Sequence, residues 1–319
     1  MTMGTVINTA IIASAGEALK ATLPPVHGRL IADAALAKLS WFRTGGTADL
    51  LFEPSGEADL VGLLRALPFE VPITVIGVGS NLLVRDGGVR GVVIRLGRNF
   101  AKISVRGTMV RAGAGAMDVH VAREAQKAGV AGLEFLVGIP GTIGGGLSMN
   151  AGAYGRDMAN IFTHARAVDR FGSIHELDMS YMDFSYRKTA VPHDWILLCG
   201  HFEGKLDDPG AITGRMDRIM SERKDSQPIG SRTGGSTFKN PDPLVSAGRS
   251  AWQLVDEAGC RGMSIGGAQV SEKHCNFLIN HGGATARDIE ELGEIVRKKV
   301  KKITGITLEW EIKLIGEEG

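Results

Sequence analysis

Short alternating runs of apolar and polar residues fill most of the chain, and a longer helical period takes over near its end. Residues 48–52, 73–76, 82–84, 92–95, 101–105 and 109–112 are rich in aliphatic side chains and short enough to be strands. Residues 56–66 read as a short helix. In 117–128, Met117, Val121, Ala125 and Ala128 share one helical face, and Gly129 stops it. Further strands are predicted over 164–169, 173–178 and 195–202. Asp207-Asp208-Pro209-Gly210 reads as a turn and a boundary, followed by a helix over 211–224 that crosses into a second region. There Thr285 and Asp288 form a capping pair, and Ile289, Leu292, Val296, Val300 and Ile303 mark one helix face. After Gly305, residues 308–315 alternate as a strand: Leu308, Trp310, Ile312 and Leu314 against Glu309, Glu311 and Lys313. The pattern is α+β. It divides into an extension over 1–37, a cofactor domain over 38–208 and a C-terminal α+β substrate domain over 209–319.

Two glycine-rich loops interrupt this pattern. Gly77 and Gly79 follow the strand at 73–76, where a chain without Cβ atoms can turn sharply and approach a ligand. Successive amides there form an anion-binding nest, with the Ser80 hydroxyl and the Asn81 amide as further donors. No Gly-Lys-Ser/Thr follows, so this is not a P-loop. Leu82 stands where a Rossmann fingerprint has its third glycine, and strand rather than helix follows. Taken alone, it reads equally as a turn between strands. The second loop, Gly138-Ile139-Pro140-Gly141-Thr142-Ile143-Gly144-Gly145-Gly146, leads into Asn150, Gly152, Ala153 and Tyr154. Two such loops, poor in charge, suit one extended ligand lying across both. FAD has that shape, with a pyrophosphate that backbone donors can satisfy without a lysine.

Composition narrows the picture. The 319 residues suffice for one large or two to three small domains, and 44 glycines is about twice the usual frequency. With 36 basic and 35 acidic residues, no global field draws nucleic acid or an anionic membrane. Cys199, Cys260 and Cys275 are odd in number and lack C-x-x-C spacing, which favours reduced thiols in a cytoplasmic protein. No apolar run reaches membrane-spanning length. Residues 1–15 lack the basic start of a signal peptide. The eight histidines show no zinc-ligand spacing, so no metal is expected.

Several residues could carry chemistry. Ser236 follows two glycines that would let its hydroxyl project into a cleft, with Lys239 and Asn240 close behind. Phe238 replaces the closing glycine of a nucleophile elbow, and a serine bonded to its own turn fits the same residues. Arg187 could fork onto a carboxylate or be a surface charge. Glu309 and Glu311 share a polar strand face, either solvated or lining a cleft.

Taken in order, these pieces resemble the UDP-N-acetylenolpyruvoylglucosamine reductase family. The match runs from about residue 40 to 315 through Trp41-Phe-Arg-Thr-Gly-Gly46, both glycine loops, Asn150–Gly155, Ser185-Tyr-Arg187, Gly235–Pro241, Gly266–Val270 and residues 308–313. The resemblance implies an FAD-binding fold of the vanillyl-alcohol-oxidase (PCMH) type with the cofactor on Arg43, Gly45 and the two loops. It implies reduction of FAD by NADPH, then hydride transfer to C3 of the enolpyruvyl ether of UDP-N-acetylglucosamine, in cell-wall precursor synthesis. Ser236 would protonate C2, and Arg187 and Glu311 would stabilise the enol-like charge. Tyr154, Lys224, Lys239 and Asn240 would bind substrate. The short stretch between Arg187 and Lys224 has no room for the tyrosine-bearing loop of longer members, so the chain resembles the shorter class. Ser264 stands where longer members carry a glutamine, with Gln269 nearby. A monomer is expected. The rival readings are a flavin oxidase of the same fold and a non-catalytic nucleotide-binding module.

Overall fold

The structure is a computed structural model that describes residues 13–319. The reading of the first fifteen positions as an extension therefore lies largely outside the described residues.

Two sheets build the N-terminal half. The first has the order Arg29–Ala35, Thr47–Glu53, Val89–Arg95, Ile73–Ile76; its outer pair is antiparallel and the rest parallel. The second is a five-stranded antiparallel sheet ordered Ile174–Asp178, Phe162–Val168, Ile196–Glu203, Met109–Gly113, Ile103–Arg106. The helices Glu57–Ala66 and Asp118–Lys127 pack with both sheets around one core. Leu50, Leu60, Leu63, Val92, Val110, Val121, Ala165, Leu198 and Phe202 are buried together there. Each such Leu, Val or Phe side chain is worth about 1.5–3 kcal/mol when fully removed from water.

The C-terminal half is a four-stranded antiparallel sheet, Arg232–Thr233, Leu278–Asn280, Ala268–Val270, Ser264–Ile265, covered by the helix Ala286–Thr304. Ile289, Leu292, Val296 and Val300 face it as their spacing predicts, and Ile303 stays largely exposed at the end of the stripe. Thr285 and Asp288 close a capping box, and Gly305 ends the helix in the left-handed region.

Four expectations need correction. Residues 29–35 are no loose extension: Leu30, Ile31 and Ala32 pair in register with Phe52, Leu51 and Leu50. Residues 101–102 lie outside the strand, because Ala101 closes a 3-10 turn and pairing begins at Ile103. Asp208 and Pro209 start a helix, Pro209–Ser226, and the Asp208 side chain caps it by accepting from Ala211 N–H. Met216 and Ile219 of that helix pack on the first core. The alternation at 308–315 is real, but it serves two partners. Trp310 bridges Phe238, whereas Lys313–Ile315 runs parallel to Leu82–Val84 of the N-terminal half. Phe42 and Leu83 are buried with Phe238 and Ile312, so one core spans the joint between the halves.

Candidate active site

The first glycine loop leaves the strand Ile73–Ile76 and turns back into the strand Leu82–Val84. Gly79 has φ +69°, and a Cβ there would overlap the Leu39 carbonyl. Only glycine fits. Among the described residues, no protein acceptor engages the amides of Val78, Gly79, Ser80 or Asn81, so four successive donors remain available.

The second loop lies against the first. A Cβ on Gly77 would come within 2.6 Å of the Thr142 hydroxyl, so the missing side chain lets the loops touch. Asp118 N–H donates to the Gly141 carbonyl at 3.1 Å, Ile143 N–H to Ala116 at 2.9 Å, and Gly144 N–H to Ala114 at 2.9 Å. These bonds hold the loop on the first residue of the helix Asp118–Lys127 and on the turn that leads into it. Gly45 packs on the Val84 carbonyl beside the first loop. Arg43 sits at its margin and spends one guanidinium nitrogen on the Lys38 carbonyl, 2.6 Å away. Backbone donors and sites closed to a Cβ are what a dinucleotide diphosphate requires, so the residues fit FAD.

Asn150, Gly152, Ala153 and Tyr154 continue from the second loop. The Asn150 amide is largely committed within the protein, donating to Asp157 and to the Ser185 carbonyl, both at 3.2 Å. The Tyr154 ring occupies the space a side chain on Gly138 would need. Burial pushes its phenol above the ordinary value, partly opposed by Arg223.

Arg187 and Glu311 meet across the joint, Nε donating to Oε1 at 2.8 Å, with side chains 17% and 12% exposed. A second guanidinium nitrogen donates to the Gly152 carbonyl at 2.9 Å. Burial pushes the Glu311 carboxyl above its usual range, and Arg187 beside it with Lys239 beyond pull it back only in part. Arg43, Asn150, Tyr154 and Arg187 all have positive φ, four of the seven such non-glycine residues described. Backbone strain thus gathers around this cleft, as it does at functional sites.

Ser236 lies on the segment that joins Glu311. Thr237 accepts from Glu311 N–H at 2.8 Å, and Lys239 N–H donates to Glu309 at 2.9 Å. Asn81 of the first loop donates its side-chain amide to the Glu311 carbonyl at 3.1 Å and accepts from Lys313 N–H at 3.0 Å. First loop, carboxylate and serine segment are thereby tied in sequence. Ser236 is half-buried, and no other described protein group engages its hydroxyl.

Lys239 and Asn240 line a cavity of about 550 Å³ with Tyr186, Val245, Thr307 and Glu309. Lys239 Nζ is 3.2 Å from Glu309, and the Tyr186 hydroxyl accepts from Asn240 N–H at 3.3 Å. Lys224 lies on an exposed face of its helix, and its carbonyl accepts from Lys273. The preceding residue, Arg223, is the one turned toward Tyr154, half-buried with Gln227 as its hydrogen-bond partner. Sequence reasoning missed Arg223; the exact helical register would have pointed to it. It also missed Asp118, which no sequence signal marks. Among the described residues no cluster of side chains could hold a metal ion, and no helix is long and apolar enough to cross a membrane.

Comparison with known proteins agrees with this geometry. Residues 48–178 match the model of an FAD-binding domain, and residues 227–315 that of the UDP-N-acetylenolpyruvoylglucosamine reductase C-terminal domain. The reductase of that name from Rhodospirillum rubrum is 57% identical over 92% of this chain and 92% of its own length. Its counterpart from Parvibaculum lavamentivorans is 56% identical over 95% and 96%. The crystal structure of the Thermus caldophilus reductase superposes with a TM-score of 0.78 at 32% identity, covering 92% of this chain and all of that one. A 6-hydroxy-D-nicotine oxidase from Arthrobacter nicotinovorans, at 14% identity and TM-score 0.54, shares the fold.

Proposed function

The chain belongs to the UDP-N-acetylenolpyruvoylglucosamine reductase family, and from that premise we propose how its residues divide the work. It is an FAD-containing oxidoreductase that reduces the enolpyruvyl group of UDP-N-acetylglucosamine enolpyruvate to the lactyl ether, in peptidoglycan precursor synthesis.

FAD, when bound on the two glycine loops, supplies the hydride that C3 of the substrate receives. NADPH is the proposed source of those reducing equivalents. Ser236 then gives its proton to C2, which completes the addition of two hydrogens across the double bond. A positioned proton donor of this kind contributes about 10²–10⁴-fold in rate. The Arg187 guanidinium holds the substrate carboxylate, where negative charge grows as C3 is reduced. Glu311 fixes Arg187 from behind and, with its acidity lowered by burial, offers a donor to the same charge. Tyr154, Arg223, Lys239 and Asn240 bind the nucleotide portion, and Lys224 adds positive charge at the rim. The proposed setting is the cytoplasm, with the enzyme acting as a monomer in support of cell shape and division.

One observation carries the reading: Glu311, paired with Arg187 at 2.8 Å, sits on the segment tied both to the Ser236 segment and to Asn81 of the flavin loop. Anaerobic rapid mixing tests it. NADPH should bleach the flavin absorbance, and the enolpyruvyl nucleotide should restore it. Bleaching that the substrate cannot reverse would refute the assignment.

A further inference from the structure

Asp118 opens the helix Asp118–Lys127, yet its side chain is 0% exposed and neither carboxyl oxygen has a hydrogen-bonding partner. Acidic residues in a first helical turn usually face water. This one turns inward, where an unpaired polar group costs stability unless something completes it. The residue it meets is Gly141: a Cβ there would lie 2.7 Å from the carboxyl oxygen. Backbone bonds clamp the second loop on either side, from Asp118 to Gly141 and from Ile143 to Ala116. Between those clamps, Gly141 N–H reaches only the Ile139 carbonyl two residues back, at 3.0 Å, the narrow closure of a γ-turn. A weakly held donor and an unsatisfied acceptor thus sit side by side. Burial alone pushes the Asp118 acid well above the carboxylate range, so it offers both a hydroxyl donor and a carbonyl acceptor.

We propose that Asp118 is a positioning residue of the flavin site, the fixed hydrogen-bonding support on which the Ile139–Thr142 turn settles when its outer side takes up FAD. Cofactor uptake brings the Asp118 carboxyl and the turn into hydrogen bonding. The proposal rests on the flavin reading, which fails separately if the unaltered protein binds no FAD.

FAD titrated into flavin-stripped protein, followed by fluorescence, tests this alongside the melting temperature of the stripped protein. Asp118→Asn keeps a neutral donor and acceptor and should bind FAD nearly as tightly as the parent. Asp118→Leu should melt as high as the stripped parent or higher, because a buried polar group is gone, yet bind FAD about tenfold more weakly, the loss expected for one hydrogen bond. Should the leucine variant not fold, Asp118→Ala carries the same expectation for FAD. Unchanged FAD affinity in the leucine or alanine variant would overturn the proposal. So would an asparagine variant that binds no better than these.

Discussion

Arg187 donates from Nε to Glu311 Oε1 at 2.8 Å, joining residues that lie 124 positions apart. Arg187 adopts φ +57° to do so, a strained conformation for a residue that carries a Cβ, and a second arm reaches Gly152. The pair therefore links the C-terminal half to the segment after the second flavin loop. Changes on either side should affect reduction of the substrate more than the fold.

Glu311→Gln tests that separation. Burial raises the folded-state pKa of Glu311 above its ordinary 4.5. The folded form thus holds its proton longer than the unfolded chain. Its contribution to stability is full below 4.5 and is lost as pH rises through the raised value. The glutamine side chain carries no charge to bury at any pH, so the variant should melt at the parent's temperature or higher, with the difference growing as pH rises through the raised value. Turnover should still fall by about 10²–10³-fold. Thermal scans and steady-state rates on one preparation read both.

Ser236→Ala should leave the bleaching of flavin by NADPH nearly intact, while the recovery on adding substrate slows by about 10²–10⁴-fold. Stopped-flow absorbance separates the two half-reactions. Equal slowing of both would argue against proton donation.

Gly77→Ala should weaken FAD binding, since the new Cβ would meet the Thr142 hydroxyl at 2.6 Å and push the loops apart. Adding Thr142→Ala removes that obstacle. The double variant should bind FAD more tightly than Gly77→Ala alone, a coupling expected only of residues in contact. Additive losses in a titration would contradict the contact.

Away from the cleft, His201 stacks on His164 with ring centroids 3.9 Å apart. Burial lowers the His201 pKa below 6.5, and His164 and Arg111 add to the effect. The unfolded chain then binds a proton before the folded form does. Stability is full above 6.5 and declines as pH falls toward the depressed folded value. Urea midpoints should drop between pH 7.5 and 5.5, and His201→Gln should flatten that decline.

Much of this architecture was legible in the chain. The glycine loops and the capped C-terminal helix stand out because turn chemistry and periodicity are local, whereas Arg187, Glu311 and Ser236 were marked out only by the family resemblance. What escaped was non-local. The strand Arg29–Ala35 gains its identity only by pairing with Thr47–Glu53. The run at 308–315 alternates continuously, but nothing local reveals that its partner changes between Trp310 and Lys313. Asp118 has the sequence of an ordinary helix-opening acid, and only its burial against Gly141 and the core makes it unusual. Arg223 and Lys224 are adjacent cations, and one helical step of about 100° decides which faces Tyr154.

The bond from Asn81 to Glu311 spans 230 positions. As the polypeptide emerges during translation, the first flavin loop forms well before its supporting segment, which follows 230 residues later. Contacts so distant in sequence close late and slowly. Firm capture of the cofactor must therefore await synthesis through Glu311, and molecules cut short before it should release the cofactor readily.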